Sequence, residues 1–547
     1  MKDNQKDIDK KSNNHQTERK NLARNTLFTY IIRGTFVLSI FKQFLLARIL
    51  PITLWGYLIL TISIITIISI ASYFLPPAVD YSISFYGSKY LAEEKQAKLR
   101  NFLGKTLLIK LALIIPLFIA SIILFYAHSD FFTLILSDNL YILYILSPLI
   151  ICNAFTLILN AIHRIFNKYK TILLLTVAKN AIYISALLII VFLNTSPRVN
   201  LHFISLFLVL SYILPFLANF AIVFHRIQSL KKTPKTKPKA KANVKEESEL
   251  TLKQVASKIT NYGIFISSKY ITTTLWKEIQ IQGVGAFSAN QNVTGYNISY
   301  NYAKISDEFF QGIMFPLMNS LTQLKVNDSP QNLESMFKTV LKYILFFNCL
   351  LIGLLLFTGD YFLLIIYGEN FLIFAPFITL ILIAFSFRIL LVPLRSLLYA
   401  NGQVKSVFIL RLLTFGLDLT FFLTGIIFFN VIIAIWGIIF SNVLILVIYV
   451  IHNLNYTDIH LDIKTTILQY ILFYTSLVVV YVIRAILLKY FVGTGLSIVI
   501  FFIMYLTLNL LLKIFSKSDL RKIKALFSKD KFIQEKIRKL IDILLKS

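Results

Sequence analysis

Cysteine is all but missing. Only Cys152 and Cys349 occur in 547 residues, each inside an apolar run, so neither a disulfide framework nor a metal site built on thiolates is available. The seven histidines are scattered, with no pair at the helical spacing that ligates zinc. A phosphate-cradling loop is also wanting: Gly104-Lys105-Thr106 supplies its last three letters, but Leu99 stands where the leading glycine is required. No nucleotide, metal or other cofactor is therefore expected, and any uphill step must draw on an ion gradient, a partner or the gradient of whatever is bound. Charged residues make up only 15%, and the hydrophilic stretches are too short for a soluble catalytic domain.

What fills the chain instead is apolar, at 57%. Runs of roughly 20 apolar residues recur, the length a helix needs to cross about 30 Å of hydrocarbon. Fourteen such segments can be marked, at about 26–49, 54–75, 102–127, 138–161, 171–193, 201–225, 257–279, 293–320, 337–358, 371–398, 405–429, 431–452, 465–488 and 493–515. The expectation is an all-α polytopic membrane protein.

The formal charge of +29 invites a nucleic-acid reading, which its distribution removes. Residues 1–25, 226–258 and 513–547 together hold 28 of the 55 Lys and Arg, whereas the connections at 127–139 and 358–370 hold none. That asymmetry is the positive-inside pattern of a multi-pass protein of the cytoplasmic membrane, with both termini cytoplasmic and basic segments near anionic lipid heads. It divides the chain into a basic tail (1–25), an N-lobe of six spans (26–225), a Lys/Pro-rich linker (226–256), a C-lobe of six spans (257–452), two extra spans (465–515) and a basic amphipathic helix on the inner surface (516–547).

Polar residues inside the apolar runs carry the functional signal. Asn297, Asn301, Lys304, Glu308 and Gln311 are spaced 4, 3, 4 and 3, which on a helix makes one continuous stripe. Against lipid such a stripe is costly, so it should face protein or water. In-span charges also include Arg33 and Lys42, Lys269 and Lys277, Arg388 and Arg395, and Arg411 and Asp418. For each the plain alternative is an internal ion pair, as for Lys304 with Glu308 four residues on, or a side chain reaching the interface. Lys42, Lys269, Lys277, Asn297, Asn301, Lys304 and Arg388 are the candidate ligands. Cations outnumber acids among these in-span charges, which suits an anionic substrate. Glu308 and Asp418 are the candidates for proton or sodium coupling, because a buried carboxylate can exchange its charge.

The two sets of six resemble each other. FKQFLLARILPITLWGYLIL at 41–60 aligns with WKEIQIQGVGAFSANQNVTGYNIS at 276–299, matching Lys42 to Lys277 and Gly56-Tyr57 to Gly295-Tyr296. An even number of spans per set makes the repeats parallel, with a cavity expected between them.

LLARILPITLWGYLIL, with its Gly-Tyr step, and residues 278–309, with the Gly283/Gly285 turn and Gly295-Tyr296, resemble the Wzx-like polysaccharide flippases of the multidrug/oligosaccharidyl-lipid/polysaccharide superfamily. The resemblance implies two six-helix lobes around a central cavity that opens alternately to each side. Its implied substrate is a polyprenyl- or dolichyl-(pyro)phosphate-linked oligosaccharide, and its partners are membrane lipids and glycan-assembly enzymes. Tyr296, Tyr300 and Tyr302 are candidates to stack on sugar rings, although tyrosines at this spacing more often serve packing. A drug or cation exporter of the same superfamily and a membrane glycan polymerase or ligase are the competing readings. The first calls for a net acidic cavity, the second for a long extracytoplasmic loop.

Overall fold

The computed structural model describes residues 31–512 and 514, apart from 33, 94, 194, 231–249, 312–316, 318–320, 322–329, 458–461 and 488–490. The basic tail at 1–25, most of the 226–256 linker and the amphipathic helix at 516–547 thus lie outside the described residues. Contacts divide the chain into two compact units: one runs to Asn297 and includes Arg411–Leu419 and Ile426–Val431, and the other takes the remainder.

In order, the helices are α1 (Phe36–Ile49), α2 (Ile52–Ala71), α3 (79–92), α4 (Gln96–Ala127), α5 (Ser129–Leu136), α6 (Tyr141–Leu146), α7 (Leu149–Ile165), α8 (Tyr169–Leu193), α9 (Pro197–Ser229), α10 (Leu252–Tyr270), α11 (Trp276–Phe287) and α12 (Asn290–Gln311). There follow α13 (Pro330–Phe362), α14 (Ala375–Arg388), α15 (Leu391–Ala400), α16 (Val404–Phe428), α17 (Val431–Tyr456), α18 (Ile463–Leu487) and α19 (Phe491–Leu511). Among the described residues, eleven helical stretches are long and apolar enough to cross a membrane. The three expected segments outside that set are 26–49, 257–279 and 293–320. The first begins beyond the described residues, the second is broken into α10 and α11, and the third carries the polar stripe.

Proline sets the sharpest breaks. Pro51 holds Leu50 in an extended conformation and ends α1. Pro76 and Pro77 offer no N–H to continue α2, so the chain turns over 72–78 and restarts as α3. In the second unit, Pro393 has no N–H for the Ile389 carbonyl, and the N–H of Val392 takes it at 3.0 Å in a tighter turn. This turn separates α14 from α15.

In the first unit α4 shows how lipid shapes the pattern. Leu108, Leu111, Ile115, Ile119 and Ile123 are exposed at helical spacing, while Leu99, Phe102, Lys110, Ile114 and Phe125 are buried. An apolar stripe faces outward while Lys110 is turned inward among apolar residues, the reverse of where a soluble helix puts a lysine. In the second unit, polar groups join the helices: Asn348 and Asn442 amides donate to the carbonyls of Ser386 and Ala384 at 3.0 and 3.1 Å, and the Tyr470 hydroxyl donates to Ser386 at 2.8 Å.

Close helix crossings rest on glycine. A Cβ built on Gly56 of α2 would collide with the backbone carbonyl of Asn290 at the start of α12, and beside it the Thr294 hydroxyl donates to the Ile52 carbonyl at 2.9 Å. Backbone cannot yield as a flexible side chain does. Gly56→Val should therefore cost about 1–3 kcal/mol, whereas Gly104→Ala, with nothing within 4 Å of the new Cβ, should gain roughly 0.5 kcal/mol in α4. Thermal unfolding of both variants in detergent checks the contrast.

Candidate functional site

The first unit brings α1 against α8. Lys42 sits half-buried on α1, and its Nζ donates to the Asn180 side-chain carbonyl at 2.9 Å. The next residue back on α8 is Lys179, whose Nζ lies 4.3 Å from the centre of the Tyr212 ring, and the charges of Lys42 and Lys179 repel each other. Among the described residues neither lysine forms an ion pair with a carboxylate. Two cations, a buried amide and the ring of Tyr212 thus make a basic, hydrogen-bonding face inside a transmembrane unit. Such a face is costly to maintain empty and suits an incoming anion.

The seventh expected span is not one regular helix. A π-helical turn over Ile271–Leu275 inserts a shift of register between α10 and α11, so Lys269 and Lys277 do not keep the phase of one regular helix. The side chain of Lys269 lies outside the described residues. Lys277 and Asn297 are half-buried in the first unit, and Asp418, on the part of α16 assigned to the first unit, is 1% exposed. Arg411, also in that part, is buried.

Asn301, Lys304, Glu308 and Arg388 belong to the second unit, all half-buried, and the Gln311 side chain is outside the described residues. Lys304 Nζ meets Glu308 Oε1 at 3.3 Å, each side chain 41% exposed. At that exposure the pair contributes about 0.5 kcal/mol or less, but it balances both charges locally. Arg395 is held by the protein: its Nε donates to the Tyr449 hydroxyl at 3.3 Å, and its guanidinium lies 5.4 Å from that ring's centre. An apolar groove on this unit is lined by Leu356, Ile383, Tyr474, Leu477, Val478 and Tyr481.

The three tyrosines weighed between sugar stacking and packing are packed against protein. Tyr296 is 1% exposed, Tyr300 packs edge-on against Phe385, and the Tyr302 hydroxyl donates to the Leu355 carbonyl at 2.9 Å. Their rings are occupied by protein.

Two groups escaped the sequence reading. Lys179-Asn180 lies inside an apolar run, and that placement alone was the available signal. Asp80 falls in what reads as a connection between spans, while its partner Lys110 is an in-span lysine; both are buried.

If the basic face exists to bind a ligand, it should contribute nothing to folding. Lys42→Gln, which can still donate to Asn180 but removes the repulsion with Lys179, should leave stability unchanged or raise it by up to about 1 kcal/mol. Thermal unfolding in detergent measures this, and a loss above roughly 2 kcal/mol would make Lys42 a structural residue.

No protein-family model matches the sequence, and no curated protein does either. Solved structures do match. A lipid II flippase, MurJ, in an inward closed conformation aligns with a TM-score of 0.61 and 18% identity over 89% of this chain and 98% of its own. An inward-facing multidrug resistance MATE transporter of the MOP superfamily aligns with a TM-score of 0.59 and 11% identity over 77% and 94%. A MOP superfamily transporter from Pyrococcus furiosus Vc1 (DSM3638), whose binding pocket is described as having reverse polarity, gives 0.54 and 11% over 78% and 93%. At these identities the likeness is one of fold: this multi-pass membrane chain has the fold of the MOP superfamily of flippases and transporters.

Proposed function

We propose that this chain is a flippase that moves a polyprenyl- or dolichyl-(pyro)phosphate-linked oligosaccharide across the cytoplasmic membrane by alternating access. The product would serve surface polysaccharide or glycan assembly, as the Wzx-like resemblance implies, with glycan-assembly enzymes as working partners. The observation that carries the reading is the basic face at Lys42, Lys179 and Asn180, which has no carboxylate of its own to balance it among the described residues. A (pyro)phosphate supplies that balance through charge-assisted hydrogen bonds. A lipid anchor needs no polar path, since its chain can stay in hydrocarbon while the head group crosses, and an apolar groove on the second unit suits such a chain.

Lys42, Lys269, Lys277 and Arg388 are assigned to the anionic head group, with Asn297 and Asn301 as hydrogen-bonding groups for sugar. Lys304 is a weaker ligand because Glu308 already neutralises it. Glu308 and Asp418 are the two carboxylates proposed for proton or sodium coupling. Export of cationic drugs would oppose the charge at Lys42 and Lys179, and polymerisation or ligation calls for a long extracytoplasmic loop that the sequence does not supply.

In a strain lacking the gene, Lys42→Ala, Lys269→Ala and Arg388→Ala should each lower glycan export at least about tenfold, the effect of losing one charged contact of ~1.4 kcal/mol. Membrane levels of the protein should stay normal, and the lipid-linked glycan should accumulate on the inner leaflet. Normal export in all three variants would remove this assignment of ligands.

A further inference from the structure

The break in the second span is the anchor point for the first half of the seventh. Gly263 of α10 sits so close to the turn before α3 that a Cβ there would collide with the carbonyl of Pro77. Around it, Ser82 Oγ donates to the Ile259 carbonyl at 3.3 Å, Lys258 Nζ donates to the Tyr90 hydroxyl at 2.7 Å, and the Phe85 and Tyr262 rings stack 4.7 Å apart. The far end of α10 is tied by the Tyr270 hydroxyl, which donates to Asp80 Oδ2 at 2.9 Å. Both elements then pass into π-helical turns, at Ile83–Gly87 and Ile271–Leu275, the kind of irregularity that marks hinges and functional sites.

Asp80 is 8% exposed and is the carboxylate at the centre of this joint. The groups facing it come from each packed element. Tyr270 approaches from α10 and Tyr73 from the preceding turn, and the charges of Lys110 on α4 and of the exposed Arg164 on α7 act on it. Lys110, 1% exposed, donates to the carbonyls of Ser72 and Leu75 and so holds the turn that carries Asp80. The Tyr73 and Tyr270 rings pack 5.1 Å apart over it. A metal cation is disfavoured, because two protein cations already act on the one carboxylate. A proton is small enough to join it without displacing them.

We propose that Asp80 is a proton-binding site that controls how firmly α10 is fastened to the second span. As carboxylate it accepts a charge-assisted bond from Tyr270 and balances Lys110 and Arg164. When a proton from water adds to one of its oxygens, the bond to Tyr270 becomes neutral and weaker. The two cations then lose their counter-charge. The other face of α10, with Lys253, Gln254, Ser257, Thr260 and Asn261 exposed, is polar enough to remain in water as the helix loosens and pivots at the π-turn. Acid therefore releases the latch and base restores it.

Hydrogen exchange of the full chain in lipid nanodiscs between pH 8 and pH 5 tests this, with rates corrected for intrinsic pH dependence and referred to peptides from α19. Peptides covering 252–270 should exchange about tenfold faster at pH 5 than at pH 8 in the natural protein. Asp80→Asn should exchange fast at both, while Asp80→Glu should keep a pH dependence with a displaced midpoint. The comparison with Asp80→Asn separates Asp80 from the other titratable groups of this unit, the buried His163 among them. A corrected rate independent of pH in the natural protein, or the natural profile retained in Asp80→Asn, overturns the proposal. Should Asp80→Asn fail to fold, an unchanged midpoint in Asp80→Glu overturns it equally.

Discussion

Hydrocarbon offers no hydrogen-bond partner, and every polar group placed in it must find one within the protein or face water. Nearly every local feature of this molecule answers to that constraint. Among the described residues, the long apolar runs are helical. Carbonyls freed where helices break, at 72–75 and at 384–389, are taken up by Lys110 and by amide and hydroxyl side chains of neighbouring helices or by tighter turns. Asn453 and Asn509, buried at 0%, bond back to their own helices at Tyr449 and Tyr505. In-span charges divide the same way. Arg395 is satisfied by Tyr449 and Lys304 by Glu308, whereas Lys42 and Lys179 have only neutral partners among the described residues.

That division is what turns a structural observation into a functional one. A cation paired with an acid is compatible with a purely structural role, and its presence says little about a ligand. Two cations facing a neutral amide and a phenol ring are what the proposal of an anionic ligand rests on. The fold is shared with flippases and exporters, so the fold alone does not choose among cargoes.

The class of the fold was legible because lipid exposure writes a one-dimensional signal. Any run near 20 apolar residues reads as a span, and the eleven helical stretches that qualify fall within that reading. The breaks were less legible. Pro51 announced one, but the π-turn at Ile271–Leu275 has no breaker residue; its sequence, ITTTL, gives no hint that the phase of Lys269 and Lys277 will part. Tyr296, Tyr300 and Tyr302 have a spacing that favours packing, and their rings are packed against protein. Lys179 and Asp80 were overlooked for opposite reasons: one was hidden among leucines in a span already assigned, and the other lay in a supposed loop that is a helix restart.

The central claim is that the basic face exists to pass an anionic, lipid-anchored head group from one leaflet to the other. Purified protein reconstituted into vesicles with a fluorescent polyprenyl-pyrophosphate oligosaccharide tests it most directly. The fraction of head groups reached by a membrane-impermeant quencher is followed against protein-free vesicles. The account predicts that quenching rises above the outer-leaflet half only in vesicles holding the protein. Quenching that stays at one half with correctly inserted, folded protein, with and without an imposed proton gradient, would contradict it.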